Sequence, residues 1–257
     1  MRLLIACLAA AASLAVPAAA GAATIIVDST EDGAATGKCT LRAAIEASNS
    51  NSVKDGCIAG SGSDRIEFAL AGPATITLGA ELPKVSAPVE IDGPGAAALT
   101  VSGNHAVRVL KVGGAAVTVS DLTIADGRST FGAGIYNESS ASLLLTGVAV
   151  TANQAIVEGG TNAFPSGGGI FNQGQLTLVE SSVAQNSAQA LLASSQNASE
   201  GGGIANLNGT LVLERSTLRG NSSIAVAPAG SGTTNAVGGG ISNNSALAVL
   251  DSTLSGN

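Results

Sequence analysis

The stretch Gly167-Gly168-Gly169-Ile170-Phe171-Asn172-Gln173-Gly174-Gln175-Leu176-Thr177-Leu178-Val179-Glu180-Ser181-Ser182-Val183-Ala184-Gln185-Asn186 decides how the whole chain is read. A glycine triplet leads into Ile170, Leu176 and Leu178 alternate with polar residues, Val183 follows a short break, and Asn186 closes the unit. The opening recurs as Gly132-Ala133-Gly134-Ile135-Tyr136-Asn137, Gly201-Gly202-Gly203-Ile204-Ala205-Asn206 and Gly238-Gly239-Gly240-Ile241-Ser242-Asn243, with the isoleucines 35, 34 and 37 residues apart. A repeat of this length is to be read before any single element. Counting back ten from each closing asparagine gives Leu143, Leu176, Leu211 and Leu247; counting back eight gives Leu145, Leu178, Leu213 and Val249. Counting back five gives Val148, Ser181, Ser216 and Ser252, and counting back three gives Val150, Val183, Leu218 and Leu254. The same spacing runs upstream through Val117, Val119, Leu122, Ile124 and Gly127, with glycine in place of the asparagine.

Apolar residues two apart lie on one face of a strand. Helical repeats can share such a period, but they space apolar residues by three and four, and glycine triplets weaken them. Three short strands per repeat, returning to the same columns, make one coil of a solenoid. The expected fold is therefore all-β, a parallel β-helix of six or so coils over residues 60–257. Right-handedness follows from the general preference of parallel crossovers. Upstream, Ile66, Phe68, Ile76, Leu78, Val89, Ile91, Leu99, Val101, Val107 and Val109 read as strands of the first coils. The variable stretches 154–166, 187–200 and 222–237 read as loops at one corner. Glycine permits positive φ there, and asparagine tolerates the left-handed region. Stacked coil on coil, Asn137, Asn172, Asn206 and Asn243 form one expected amide ladder, and Asn153, Asn186, Asn221 and Asn257 another.

Composition fits a narrow interior of small side chains: the chain has 34 Gly, no Trp, one Tyr and four Phe. Its formal charge is -7, or -8 once Arg2 is subtracted. That balance argues against nucleic acid and against docking on anionic membranes. Residues 1–20 read as a secretory signal peptide: a basic start, an apolar run from Leu3 to Val16, and the small triplet Ala18-Ala19-Ala20 before Gly21. Cys7 is discarded with it, and no later stretch is long and apolar enough to span a bilayer as a helix. The two remaining cysteines, Cys39 and Cys57, read as one disulfide in an exported chain. Two independent buried thiols are the alternative, while a metal pair lacks any nearby His or third Cys.

Between these cysteines, Leu41, Ala44, Ile45 and Ser48 have helical spacing and Thr40 is placed to cap the helix. Such a helix would cover the open end of a solenoid, leaving 21–59 as a cap. The segment Cys39-Thr40-Leu41-Arg42-Ala43-Ala44-Ile45 resembles the CSLREA domain. Cys57, Gly60, Gly62 and Asp64-Arg65-Ile66 are similar to the cysteine and Gly-x-Gly-x-Asp-x-Ile stretch that follow it. The repeats from Gly132 onward resemble those of polymorphic outer-membrane proteins and related bacterial β-helix surface proteins. The resemblance implies a right-handed, pectin-lyase-like solenoid, secreted or at the bacterial outer membrane or cell surface. Ala43 departs from the family's Glu, which would complete a reciprocal capping box.

Chemistry is sparse. Glu180, Arg215 and Asp251 share an outward column and read as a solvated ladder rather than a cation site. Asp121, Asp126 and Arg128 are the only catalytic candidates, sharing a groove with Asp92. The single His105 lacks a recognisably spaced acid or nucleophile. No metal and no cofactor is implied. The sequence thus reads as a non-catalytic surface or secreted protein, with glycans or a host or neighbouring cell surface as partners through adhesion or passive coverage. A polysaccharide-active lyase or hydrolase on the same fold is one alternative. The other is a structural stalk for a missing C-terminal anchor domain, in a chain truncated at Asn257.

Overall fold

A computed structural model describes residues 21–159, 162–191, 196–227 and 233–257. The expected leader, 1–20, lies outside the described residues. The described residues form a β-solenoid of stacked parallel strands in several unclosed sheets, with one short helix among them.

The longest sheet has eight strands in the order Thr24–Val27, Asp64–Phe68, Val89–Asp92, Ala116–Ser120, Ser142–Thr146, Gln175–Val179, Thr210–Glu214 and Ala246–Leu250. A seven-strand sheet runs from Ala74–Thr77 to Thr253–Ser255, and a five-strand sheet from Leu110–Val112 to Ile241–Asn243. Register follows the columns read from the sequence. Leu143 pairs with Leu176, Leu176 with Leu211 and Leu211 with Leu247. Val150, Val183, Leu218 and Leu254 do the same in the seven-strand sheet, and the four isoleucines in the five-strand sheet. Leu143, Leu176 and Leu211 are no more than 1% exposed, whereas Leu247, on the last described strand of the sheet, is 40% exposed. Full burial of such a side chain contributes about 1.5–3 kcal/mol, so each coil is stabilised chiefly by its neighbours.

Four expectations need correction. Val107 and Val109 are not in a strand, because Asn104 and His105 both have positive φ and Val107 N bonds back to Gly103 O. The strand forms at Leu110–Val112, one residue on. The ladder asparagines are not in the left-handed region. The residue before each closing asparagine takes that conformation instead: Ala152, Gln185, Gly220 and Gly256. This bend frees the asparagine to turn its amide inward. The stack also begins before residue 60, since Thr24–Val27 pairs in parallel with Asp64–Phe68.

The fourth correction is the largest. The stretches read as loops contain paired strands. Gln154–Glu158, Ser187–Leu191 and Ser222–Val226 form a four-strand sheet with Arg128–Ser129, and Asn162–Ala163, Gln196–Glu200 and Thr233–Val237 form a three-strand sheet. The two sheets pack together as a thin fin. Its interior is built from Ala155, Ala188 and Ala190, with Val157 and Ala225 packed on Ala190 and Ser199 Oγ 2.8 Å from Ser223 Oγ. Excursions of similar length in adjacent coils can satisfy each other's backbone groups laterally, as buried backbone must be satisfied. Alanine at alternate positions lets the two layers approach. At the base of the fin a Cβ on Gly168 would lie 2.3 Å from both Gly202 O and Ser187 O, so glycine is required there by close approach.

The helix Leu41–Ser50 buries Leu41, Ala43, Ala44, Ile45, Ala47 and Ser48. Thr40 Oγ1 accepts from Ala43 N at 3.2 Å, and Cys39 is disulfide-bonded to Cys57. Arg42 grips Asp32 with two nitrogens and donates to the carbonyls of Ala80 and Glu81, tying the helix to the first coils. Asn49 does the same at the other end, through Lys84 O and the N–H groups of Ser86 and Ala87.

Candidate functional site

The repeated polar residues are engaged in building coils. Asn137 Nδ2 donates to Asn172 Oδ1 at 2.7 Å, Asn172 to Asn206 at 2.7 Å, and Asn206 to Asn243 at 2.6 Å. Asn137 Oδ1 is left without a donor because its neighbour in the preceding coil is Val112. In the second ladder Asn153, Asn186 and Asn221 donate to Asn186, Asn221 and Asn257 at 3.0, 3.0 and 2.8 Å. Its upstream end is closed by Gly127 N, which donates to Asn153 Oδ1. Serine makes a third ladder that column reading alone missed. Ser181 Oγ, Ser216 Oγ and Ser252 Oγ accept from Val148 N, Ser181 N and Ser216 N.

The candidates for chemistry are dispersed. Asp121 sits at an exposed corner with positive φ. Asp126 Oδ2 accepts from Ser102 Oγ at 3.1 Å, and its Oδ1 is 3.8 Å from His105 Nε2. Ser102 and His105 both address the carboxylate rather than each other, which is not the hydroxyl–imidazole pairing of an activated nucleophile. Arg128 lies at the edge of the fin, bound to Gln154 and Glu158. Asp92 belongs to a different cluster. Asp121, Asp126 and Arg128 therefore do not share one set of contacts with it. The column Glu180, Arg215 and Asp251 occupies the same left-handed corner in successive coils. Arg215 binds Glu180 at 3.0 Å and also its neighbour Glu214, and this pairing with Glu180 first, then Glu214, raises its pKa.

The densest charge cluster lies on the outer face of the eight-strand sheet. Arg65 contacts Glu67 at 2.7 Å, Glu90 at 3.2 Å, and Asp92. Asp92 Oδ1 also accepts from Ser120 Oγ at 2.6 Å. Asp92 foremost, then Glu90 and Glu67, raise the Arg65 pKa. The signal was present in the sequence: Arg65/Glu67 and Glu90/Asp92 are two apart on neighbouring strands, so all four share one face. General acid–base chemistry needs two groups held in opposite protonation states. Here all three carboxylates face the same single guanidinium and are 26–43% exposed, so the geometry does not set one apart as acid and another as base.

A second cluster gathers aromatic rings outside the core. Phe171 packs against Phe131 and Tyr136, with centroids 5.3 and 5.1 Å apart. Arg108 and Lys111 lie over the Tyr136 ring, bound also to Glu81 and Glu138 respectively. The Lys111 hydrogen bond, opposed by burial, lowers the Glu138 pKa.

Among the described residues no group of His, Cys, Asp and Glu is arranged to hold a metal ion, and no helix is long and apolar enough to cross a membrane. No protein-family model matches the chain, and no curated protein matches it.

Proposed function

We propose that this chain is an exported, non-catalytic surface protein, a right-handed β-helix of the pectin-lyase-like kind with a CSLREA-like cap, which presents its fin for adhesion to glycans or cell surfaces. The observation that supports this reading is a division within each coil. Recurring polar residues are engaged in ladders, whereas the residues that differ from coil to coil lie on the outside of the fin, as Ile156, Gln189 and Ile224 do in one register. A scaffold of invariant coils carrying a variable outer surface suits contact rather than turnover.

The rival is a polysaccharide-active enzyme, favoured by the Arg65, Glu67, Glu90 and Asp92 cluster. A screen of the exported chain on acidic and neutral polysaccharides, with and without Ca²⁺, separates the two. The expected result is no new reducing or unsaturated ends, together with saturable binding to cells or glycans. Turnover that Asp92→Asn or Glu90→Gln abolishes would establish the enzyme instead.

A further inference from the structure

Asp64 is the one carboxylate of the described core: it is 2% exposed, on the inward side of its strand. Its Oδ1 accepts from Ser61 N at 2.6 Å and from Ala23 N at 3.2 Å. Its Oδ2 is buried and has no partner. A buried charge without a counter-charge or full hydrogen bonding is costly. The adjacent Arg65 does not supply one, because its guanidinium is bound to Glu67, Glu90 and Asp92 on the opposite face. The site is nevertheless shaped around this carboxylate: a Cβ on Gly60 would lie 2.3 Å from Oδ2, so glycine makes its room.

The backbone nitrogen beside Asp64 is only two residues beyond the expected leader cleavage point. Ala20-Gly21-Ala22 is a second small-x-small triplet, and it ends directly before Ala23. We propose that the leader is removed between Ala22 and Ala23, and that the α-ammonium created there is the counter-ion of Asp64. The inference rests on the export reading above. A leader peptidase adds water across the Ala22–Ala23 bond. The Ala22 carboxylate departs with the leader, and the Ala23 amide nitrogen becomes an ammonium with three donors in place of one N–H. It supplies both the charge and the hydrogens that Oδ2 lacks. Ala23 O remains bonded to Arg65 N at 2.8 Å, and Thr24 stays in register with Arg65, which holds the new terminus beside the carboxylate. The exposed bond from Ser61 Oγ to Gly21 O is lost in exchange. Cleavage thus latches the first strand of the solenoid, and the precursor lacks that latch.

Of the charged groups on the elements around this site, Arg65, Glu67, Glu90 and Asp92 meet on the outer face, Arg42 of the helix is bound to Asp32, and Glu46 of the helix is partly exposed. On the alkaline side the group of this pair that changes charge is therefore the terminus itself. An ammonium paired in the folded state has a raised pKa, so its contribution is complete below about pH 8, its unfolded value, and is lost as the pH rises through the folded one.

N-terminal sequencing of the exported protein is expected to begin at Ala23. A start at Gly21 overturns the proposal and leaves export standing, whereas a chain that keeps Met1 overturns both. Thermal midpoints are then compared for chains beginning at Ala23 and at Gly21, each with Asp64 and with Asp64→Asn. At about pH 6 the Ala23 start is expected to melt at least about 2–4 °C higher. That advantage disappears at about pH 10 and in the Asp64→Asn pair. Equal midpoints at the lower pH, or an advantage that persists at the higher one, reject the latch even if Asp64→Asn fails to fold.

Discussion

At position 206 one side-chain amide touches three successive coils. Asn206 Oδ1 accepts from Asn172, while its Nδ2 donates to Asn243 Oδ1, Gly209 O and Ala246 O. Replacement by leucine removes the amide links to Asn172 and Asn243 and the side-chain donor to Gly209 O and Ala246 O, at a cost of about 1–3 kcal/mol. Asn235→Leu, on an exposed fin strand, should stay within about 0.5 kcal/mol of the parent. Chemical denaturation of the two variants is the measurement, and equal midpoints would reject the ladder as a source of stability. Asp28 makes a different prediction. The Cys39 N–H, at 2.8 Å from Asp28 Oδ1, holds its pKa below the usual value; burial opposes this and Lys38 adds to it. A lowered carboxylate pKa contributes stability that is complete above the ordinary carboxylate range and lost as the pH falls through and below it. Asp28→Asn should therefore narrow the gap between denaturation midpoints measured at neutral pH and in acid.

At the scale of elements, the helix Leu41–Ser50 shows how a motif can be mostly structural. In Cys39-Thr40-Leu41-Arg42-Ala43-Ala44-Ile45 the residues serve, in order, as disulfide partner, N-cap, core, staple to Asp32 and core. Opening the disulfide by Cys39→Ser with Cys57→Ser frees a loop with a sequence separation of 18 and should cost about 3 kcal/mol, read from urea unfolding. An unchanged unfolding free energy would mean that Arg42 and Asn49 hold the cap without it. The fin is the element whose form was not legible. Its strands are rich in Ala, Ser, Asn and Gln, with little of the apolar alternation that marks a half-buried strand. They pair because the excursion of the neighbouring coil offers a complementary backbone edge.

Across the whole molecule, stability is a sum of coil-to-coil interfaces. Among the described residues the coil of Ala246–Leu250 is paired on one side, and Leu247, Val249 and Leu254 are 40–45% exposed against 1% or less for Leu143, Leu145 and Val150. In the 257-residue chain, hydrogen exchange should therefore be faster in Ala246–Leu250 than in Ser142–Thr146, where both edges are paired. Uniform protection along the eight-strand sheet would show that the solenoid opens only as a unit.

What the sequence determined alone was the coil: its length, its inward columns, the asparagine positions that stack and the helix that caps it. These follow from spacing within one repeat, which covalent order sets, and from the alternation that a strand imposes. Tertiary structure decided whatever depends on lateral partners. It made strands of the stretches read as loops, moved the left-handed bend to the residue before each closing asparagine, and gathered Arg65, Glu67, Glu90 and Asp92 on one face. It also dispersed Asp121, Asp126 and Arg128, and set Ala23 against Asp64, 41 residues along the chain. The physical reason is the same in each case. Hydrogen bonds and charges between coils act over a few ångströms in space, and the residues that satisfy them are tens of positions apart in sequence.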